Sequence, residues 1–160
     1  MTKARTPLVV GVDPGKTTGL CFVNPDLITA GTIPIAWHKQ FGLQTDAYDE
    51  LMHWCTEALE DYQPVIFAVE RFHLTPMSWQ RSDSHYPIEA IGVVRLVAER
   101  FPNIVTMVQQ EVSDAKAFAT NDRLKALGMY ARGLPHATDA ARHAYLWMVR
   151  NGHLKPDESV

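Results

Sequence analysis

Two carboxylates in the sequence stand directly after apolar runs of strand length. Asp13 follows residues 8–12, and Glu70 follows residues 65–69, a continuous apolar run that favours a strand buried on both faces. If the two strands are parallel neighbours, both carboxylates leave the sheet at the same edge. Open α/β sheets bind ligands at the carboxyl ends of their strands, so this edge is the predicted site.

A third carboxylate lies between two histidines in the segment 136–143. Asp139 stands three residues after His136 and four residues before His143, spacings that place the three side chains on one face of a helix. The rest of that face is small or apolar. Because a carboxylate on a buried face is costly unless it is paired or bound to a metal, Asp139 is predicted to meet the other two acids.

Three acids that meet beside a sheet predict a metal site. They raise one another's pKa unless a cation is present, and their hard oxygen ligands favour Mg²⁺ or Mn²⁺. A pair of such ions about 3.5–4 Å apart holds the attacking and leaving oxygens of a phosphoryl transfer. Histidine is a poorer ligand for Mg²⁺ than for Mn²⁺, so His136 or His143 either coordinates the ion or moves a proton of the attacking water.

The stretch VVGVDPGKTTGL, residues 9–20, is similar to a nucleotide-binding P-loop but departs from it at two positions. The P-loop needs a glycine where Val10 stands, and Asp13 would repel a phosphate in the middle of the loop. Pro14-Gly15 instead indicates a tight turn between the first strand and an antiparallel partner over residues 20–23. A structural role for Asp13, as a residue that caps this turn, is the alternative at this point.

The elements that must position these residues follow from periodicity and turn signals. After the first two strands we predict a third strand over residues 28–36, a helix over 45–62 with Thr45 as its N-cap, a strand over 65–69 and a long loop over 73–87. Next come a helix over 88–101, in which Gly92 allows close approach to the sheet, and a strand over 104–108. Helical pieces over 113–131, capped by Ser113 and Thr120, precede a final helix from Pro135 to about 151. This order indicates an α/β fold, a mixed sheet with helices on both faces.

The composition is that of an ordinary globular protein. The chain has 160 residues, 46% of them hydrophobic and 21% charged, and it predicts a single domain with its core over about residues 8–151 and short flexible tails. No apolar stretch reaches the roughly 20 residues that span a bilayer, and no signal peptide is evident, so we expect a cytoplasmic protein that engages no membrane. Cys21 and Cys55 belong to no metal-type cysteine pair and are expected to be buried thiols.

The net charge of −3 does not by itself indicate a nucleic-acid-binding protein. Charge is nevertheless segregated along the chain. Acidic residues concentrate over residues 46–61, whereas basic residues outnumber acidic ones over residues 116–150. One surface is therefore expected to be basic.

Asp13 in VGVDPGKTTGL, Glu70 in FAVERF and Asp139 in HATDAARHA resemble, in this order and spacing, the RuvC-type Holliday junction resolvases of the RNase H-like superfamily. The resemblance covers residues 8–150 and is greatest to the phage-borne branch, which carries stretches like those at 109–118 and 122–128. It implies an RNase H-like mixed sheet of five strands, three antiparallel and then two parallel. It also implies a homodimer that makes paired cuts in four-way DNA junctions with two Mg²⁺ or Mn²⁺ ions per active site, and no nucleotide cofactor.

Carried over by position, Asp13, Glu70 and Asp139 match the three acidic metal ligands of the family. The family's final helix usually carries two acids three residues apart, with a histidine first in some members, and His136 occupies that place. The resemblance therefore assigns His136 to the metal and to catalysis. His143, one turn after Asp139, is the rival for the fourth catalytic role, or else it holds Asp139 or a water from behind.

DNA contacts are predicted around the acids. The family places an aromatic residue just past the glutamate, which Phe72 or His73 matches approximately, and such a side chain unstacks bases at the centre of a junction. The basic residues assigned to DNA phosphates are Lys16, Arg81, Lys116, Arg123 and Lys125. We expect the helix over residues 88–101 to form much of the dimer interface.

Three other functions fit parts of this pattern. One is an RNase H-like nuclease that acts on other branched or flapped DNA. Another is an ATP-binding domain of the actin and sugar-kinase type, which also opens with a strand, an aspartate, a turn and a strand, but which needs a much longer chain and gives Glu70 and Asp139 no role. The last is a non-catalytic DNA-binding module, which gains nothing from burying three acids.

Overall fold

The computed structural model describes residues 6–29, 36–43, 47–61 and 64–156. Its centre is one five-stranded sheet in the order β3-β2-β1-β4-β5. The first three strands in the chain pair antiparallel, and β4 pairs parallel with both β1 and β5. The strands are β1 (Leu8–Asp13), β2 (Thr17–Val23), β3 (Ala36–Gly42), β4 (Val65–Glu70) and β5 (Val105–Gln110). The predicted mixed sheet is confirmed.

Helices cover both faces of the sheet, as predicted. They are α1 (Pro25–Thr29), α2 (Ala47–Asp61), α3 (Pro76–Trp79), α4 (His85–Arg100), α5 (Val112–Phe118), α6 (Asn121–Ala126) and α7 (Pro135–Arg150). One apolar core lies between the sheet and the pair α2 and α4, and a second lies between the sheet and α5, α6 and α7. Among the described residues, no helix has the length and apolarity needed to cross a membrane.

The alternation of β1 directs its terminal carboxylate toward α7. Leu8, Val10 and Val12 pack into the core beneath α2 and α4, whereas Val9 packs into the core beneath α7. Because successive side chains of a strand point to opposite faces, Asp13 shares the face of Val9. The same count places Glu70 on the α7 face, since Val69 belongs to the other core.

Two glycines allow α7 to lie directly on the sheet. A Cβ atom built on Gly11 would lie 1.9 Å from the carbonyl oxygen of Ala140, and one built on Gly19 would lie 2.1 Å from the carbonyl carbon of His136. Any larger residue at either position would therefore meet the backbone of α7. Because these two residues have no side chain, the backbone of α7 approaches β1 and β2 closely. Its side chains therefore reach the ends of β1 and β4.

The predicted third strand was wrong in position. Residues 28 and 29 end α1, and β3 begins only at Ala36. The turn into α1 forms because the Asn24 side chain accepts a hydrogen bond from the backbone N–H of Asp26 at 2.9 Å. β3 is an edge strand of mixed aromatic and polar composition with one buried residue, so it lacks the apolar run that marks the inner strands. Thr45, the predicted N-cap of the next helix, lies outside the described residues.

The predicted loop over residues 73–87 is shorter than expected. A capping box between Thr75 and Ser78, with Pro76 at the first helical position, forms the short helix α3 within it. α4 then begins at His85, one turn before the predicted start, because Pro87 lies in the first turn, where a missing N–H costs nothing.

Four smaller expectations were tested by the local structure. Thr120 caps α6 as predicted, and its hydroxyl accepts from the backbone N–H of Arg123. Ser113 caps nothing, because α5 starts earlier and Glu111 is its N-cap residue. Gly92 makes no close approach to the sheet, since a Cβ at that position would meet nothing within 4 Å. Cys21 and Cys55 are free and buried, as expected.

Candidate active site

Asp13 and Glu70 leave the sheet side by side. In the parallel pairing of β1 with β4, Val12 is opposite Val69, so the next residue of each strand is an acid at the same level. β1 and β4 are therefore parallel neighbours, which is the arrangement that places both carboxylates at one edge. Both face α7, which brings His136, Asp139 and His143 to that edge.

Asp13 is the most buried of the three acids, with 7% of its surface exposed. Its Oδ2 atom lies 2.8 Å from Nδ1 of His136. Burial and the negative charge of Glu70 raise the pKa of Asp13 from 3.8 to about 7, the contact with His136 lowers it, and the charge of Asp139 adds a smaller increase. The charges of both other acids therefore raise the pKa of Asp13. Its partner is on α7, and the turn after β1 is held instead by Thr18, whose hydroxyl donates to the carbonyl of Gly15.

Glu70 contacts a histidine that is almost completely buried. The Nε2 atom of His143 lies 3.2 Å from Oε2 of Glu70, and Nδ1 lies 3.1 Å from Oε1 of Gln110. The His143 side chain is 2% exposed. The ring of His143 is turned toward the ends of β4 and β5, so it contacts Glu70 and Gln110 and not Asp139, the acid that it was expected to hold.

Asp139 is paired with two cations. Nε of Arg142 donates to its Oδ1 atom at 3.0 Å, and Nζ of Lys116 lies 3.7 Å from its Oδ2 atom. Arg142 is itself held in place, since its guanidinium also donates to the carbonyl of Ala119 and to the side chain of Asn121. Sequence reasoning did not find Arg142, which lies one turn after Asp139 and on the same side of α7.

The first turn of α7 is fastened to the edge strand. The side-chain oxygen of Gln40 in β3 accepts hydrogen bonds from the backbone N–H groups of His136 and Ala137, at 2.9 and 3.3 Å. These N–H groups are among those that a helix leaves without internal partners, and Leu134 at the N-cap offers no side-chain acceptor. Gln40 therefore fixes the position of His136, and only the missing local cap could have signalled such a partner.

The predicted ligands are thus brought to one edge of the sheet, each turned toward its own partner. Among the described residues, no group of three His, Cys, Asp or Glu side chains lies in an arrangement that would already hold an ion. The reason is visible in the contacts: Asp13 faces His136, Glu70 faces His143, and Asp139 faces Arg142 and Lys116.

Of the basic residues predicted to contact DNA, Lys116 lies in the site and Lys16 lies beside it. Lys16 is in the turn after Asp13 and forms an ion pair with Asp83 at 3.5 Å, which links that turn to the segment before α4. Both lysine side chains are about half exposed.

The segment after Glu70 is tied to the start of α5. Arg71 and His73 both contact the carboxylate of Glu111, at 2.9 and 2.7 Å. The hydrogen bond from His73 and the charges of both partners lower the pKa of Glu111. Phe72 is half-buried and Arg81 is exposed.

Arg123 and Lys125 are engaged locally on α6. Arg123 donates to the carbonyl of Phe118 at 2.6 Å, and Lys125 lies 4.0 Å from the carboxylate of Asp122. Neither contact joins them to the three acids. Both residues belong to the same face of the fold as α7.

Comparison with known proteins identifies the fold. No protein-family model and no curated protein matches the chain. Among solved structures, RuvC of T. thermophilus in complex with a Holliday junction substrate matches with a TM-score of 0.63 at 19% identity, over 94% of this chain and 99% of that one. A further structure of Thermus thermophilus RuvC matches with a TM-score of 0.57 at 18% identity, over 93% of this chain and 99% of that one. The chain has the RuvC-type, RNase H-like fold.

Proposed function

We propose that this chain is a divalent-metal-dependent endonuclease that resolves four-way DNA junctions by cutting a phosphodiester bond in each of two strands. One observation carries the proposal. Three acids from β1, β4 and α7 lie at the carboxyl edge of the sheet, near enough for Glu70 and Asp139 to raise the pKa of Asp13, on a fold shared with a RuvC that is bound to a Holliday junction. A fold by itself supports many activities, so the acids at the edge make the argument specific.

The residues at this edge fit a divalent cation. Asp13, Glu70 and Asp139 supply the carboxylate oxygens that Mg²⁺ and Mn²⁺ prefer, and His136 adds a nitrogen that Mn²⁺ accepts more readily. The raised pKa of Asp13 is what uncompensated negative charge in a buried site produces, and a bound cation would relieve it. We therefore propose Asp13, Glu70, Asp139 and His136 as the residues that hold two ions.

When bound, such ions activate a water and neutralise charge on the scissile phosphate. The chain's own residues have three tasks around them. The carboxylates would hold the ions, and Lys116 would contact a phosphate oxygen of the DNA. Gln40 and the two glycines keep α7 at the depth that brings His136 to Asp13. Lys116 is already within 4 Å of Asp139 and half exposed, so it reaches both the site and the solvent.

We propose that two copies of the chain act together, because symmetric cuts in two strands require two equivalent sites. The outer face of α4 carries the apolar side chains of Ile88 and Leu96, which are 46% and 55% exposed. Gly92 lies between them at the same helical spacing, with open space above it. This face is the one that we assign to the second copy. Sedimentation at micromolar concentration should give a dimer, and Leu96→Glu should give a monomer.

The function is tested with pure protein and synthetic DNA. Four-way junctions, flaps and plain duplex of matched sequence are incubated with Mg²⁺, with Mn²⁺ or with EDTA. Paired cuts in the four-way junction that need metal are the expected result. Faster cutting of flaps would move the assignment to another branched substrate, and binding of all three DNAs without cutting would make the chain a DNA-binding module. Binding of ATP without any DNA cleavage would favour the nucleotide-binding alternative.

A further inference from the structure

The ring of His143 is committed at both nitrogens. Nε2 lies 3.2 Å from the Glu70 carboxylate, and Nδ1 lies 3.1 Å from the side-chain amide of Gln110. Because a carboxylate oxygen only accepts, the ring carries a proton on Nε2 in this contact. The amide of Gln110 contains both an acceptor and a donor, so it is able to hold Nδ1 whether or not that nitrogen is protonated.

Gln110 and Glu70 come to His143 from adjacent strands at the same level. They are the last residues of β5 and β4 and are opposite each other in the parallel pairing. The backbone strengthens this junction, since the N–H of Arg71 donates to the carbonyl of Gln110 at 2.8 Å. His143 reaches across both strand ends from α7, so three elements fix one ring.

The pair is buried among apolar neighbours. Gln110 is 5% exposed, and Val108 of the same strand and Ala140 and Ala144 of α7 belong to the apolar core on this side of the sheet. Burying a polar side chain is favourable only when every one of its polar atoms has a partner. Two apolar side chains would fill this space without that cost. Packing alone therefore does not account for a histidine and a glutamine here.

We propose that His143 and Gln110 are positioning residues for Glu70: Gln110 sets the ring of His143, and the ring holds one carboxylate oxygen of Glu70 while the other is left to the metal. The proposal rests on the proposed function, because it gives Glu70 a metal to bind. Partners of this kind orient ligands and raise their affinity for the ion. His143 then has no ligand position of its own, which leaves His136 as the fourth ligand.

Two substitutions of His143 separate the two contacts. In glutamine the terminal nitrogen lies the same number of bonds from Cβ as Nε2 of histidine, and in asparagine it lies as far as Nδ1. His143→Gln therefore keeps a donor for Glu70, whereas His143→Asn keeps only the contact with Gln110. Binding of Mn²⁺ to the whole protein, followed by electron paramagnetic resonance, should be close to wild type for His143→Gln and about 10–100-fold weaker for His143→Asn.

A double-mutant cycle with Glu70→Gln distinguishes positioning from a general structural effect. If His143 acts through Glu70, His143→Asn should add no further loss of Mn²⁺ affinity in the Glu70→Gln background. Gln110→Ala is measured in the same cycle, and it decides the result if His143→Asn does not fold by circular dichroism. Additive losses, or wild-type Mn²⁺ affinity in a folded His143→Asn or Gln110→Ala protein, would overturn the proposal. The wild-type titration and junction assay report separately on the proposed function: absence of both Mn²⁺ binding and cleavage in wild type overturns that function and this inference with it.

Discussion

Each acid of the candidate site has a separate basic partner in the same chain. Asp13 faces His136, Glu70 faces His143, and Asp139 faces Arg142. Two of the three partners are histidines, and the third is an arginine. Burial and the negative charge of Glu70 raise the pKa of Asp13 even though His136 contacts it.

Asp13→Asn is expected to stabilise the metal-free protein at alkaline pH and to leave it nearly unchanged in acid. The pKa of Asp13 rises from 3.8 to about 7 on folding, so between these values the folded state binds a proton that the unfolded chain releases. Wild-type stability therefore falls as pH rises across this window, and the loss is complete above about pH 7. Asparagine has no such loss.

The expected gain follows from the size of the shift. One pKa unit corresponds to about 1.4 kcal/mol, so Asp13→Asn should gain at most about 4 kcal/mol at pH 8. Urea unfolding in EDTA at pH 4 and pH 8 measures it, with Asp122→Asn, an exposed acid on α6, as the matched control. Equal effects of Asp13→Asn at the two pH values would show that Asp13 does not carry a raised pKa.

His136→Asp is expected to keep cleavage and to shift its metal preference from Mn²⁺ toward Mg²⁺. The substitution replaces a nitrogen donor with a hard oxygen donor, and the 43% exposure of the His136 side chain leaves room for the change. The measurement is the ratio of cleavage rates in the two metals, and His53→Asp on the exposed face of α2 is the control. An unchanged ratio in an active His136→Asp enzyme would remove His136 from the ligands.

At the scale of elements, the position of α7 on β1 and β2 decides whether the site forms. Gly19→Ala places a methyl group 2.1 Å from the backbone of His136, so the first turn of α7 must move. Overpacking of this kind costs about 1–3 kcal/mol, and the displaced His136 should reduce cleavage much more than the stability loss alone would.

Gly42→Ala on the neighbouring strand is the matched control, because its Cβ would lie 3.8 Å from the nearest atom, an ordinary contact. Thermal unfolding and junction cleavage are measured for both variants. A Gly19→Ala protein with wild-type stability and activity would show that α7 does not depend on this close approach.

The sequence predicted the inner elements well because their signals are local. The apolar runs of β1 and β4, the turn at Pro14-Gly15 and the proline at the start of α7 each appear within a few residues. β3 was misplaced because an edge strand with one buried residue carries little apolar signal. Its position depends on pairing with β2, which no local pattern shows.

The acids of the candidate site and the two histidines beside them were also readable, whereas the residues that hold this group in place were not. Asp13 and Glu70 stand at ends of apolar runs, and the helical spacing around Asp139 is visible in the chain. Gln40 and Gln110 act across 96 and 33 residues of sequence, and Arg142, three residues after Asp139, is held by Ala119 across 23 residues. Contacts over such separations follow from the packed fold, so the contacts of His143 with Glu70 and Gln110 could not be predicted from sequence, although its helical face was right.

At the scale of the whole molecule, the two faces of the sheet have different tasks in the proposed nuclease. The acids, Lys116, Arg123 and Lys125 belong to the side that carries α5, α6 and α7, whereas the apolar row of Ile88 and Leu96 lies on the side of α4. DNA and a second copy of the chain would therefore approach different surfaces. A net charge of −3 is compatible with DNA binding when the basic residues are gathered on one side.

The most direct measurement is single-turnover cleavage of a labelled four-way junction by wild type, Asp13→Asn, Glu70→Gln and Asp139→Asn, with binding of the same junction followed in parallel. Enzymatic acceleration of such reactions reaches the order of 10¹⁷-fold, and loss of one ligand should remove most of it. We predict that wild type cuts only with Mg²⁺ or Mn²⁺, and that no variant cuts. All three variants should bind the junction as tightly as wild type or more tightly, since each loses negative charge that faces the phosphates. Near wild-type cleavage by any one variant would contradict the proposed function. So would cleavage by wild type in EDTA at the rate seen with metal.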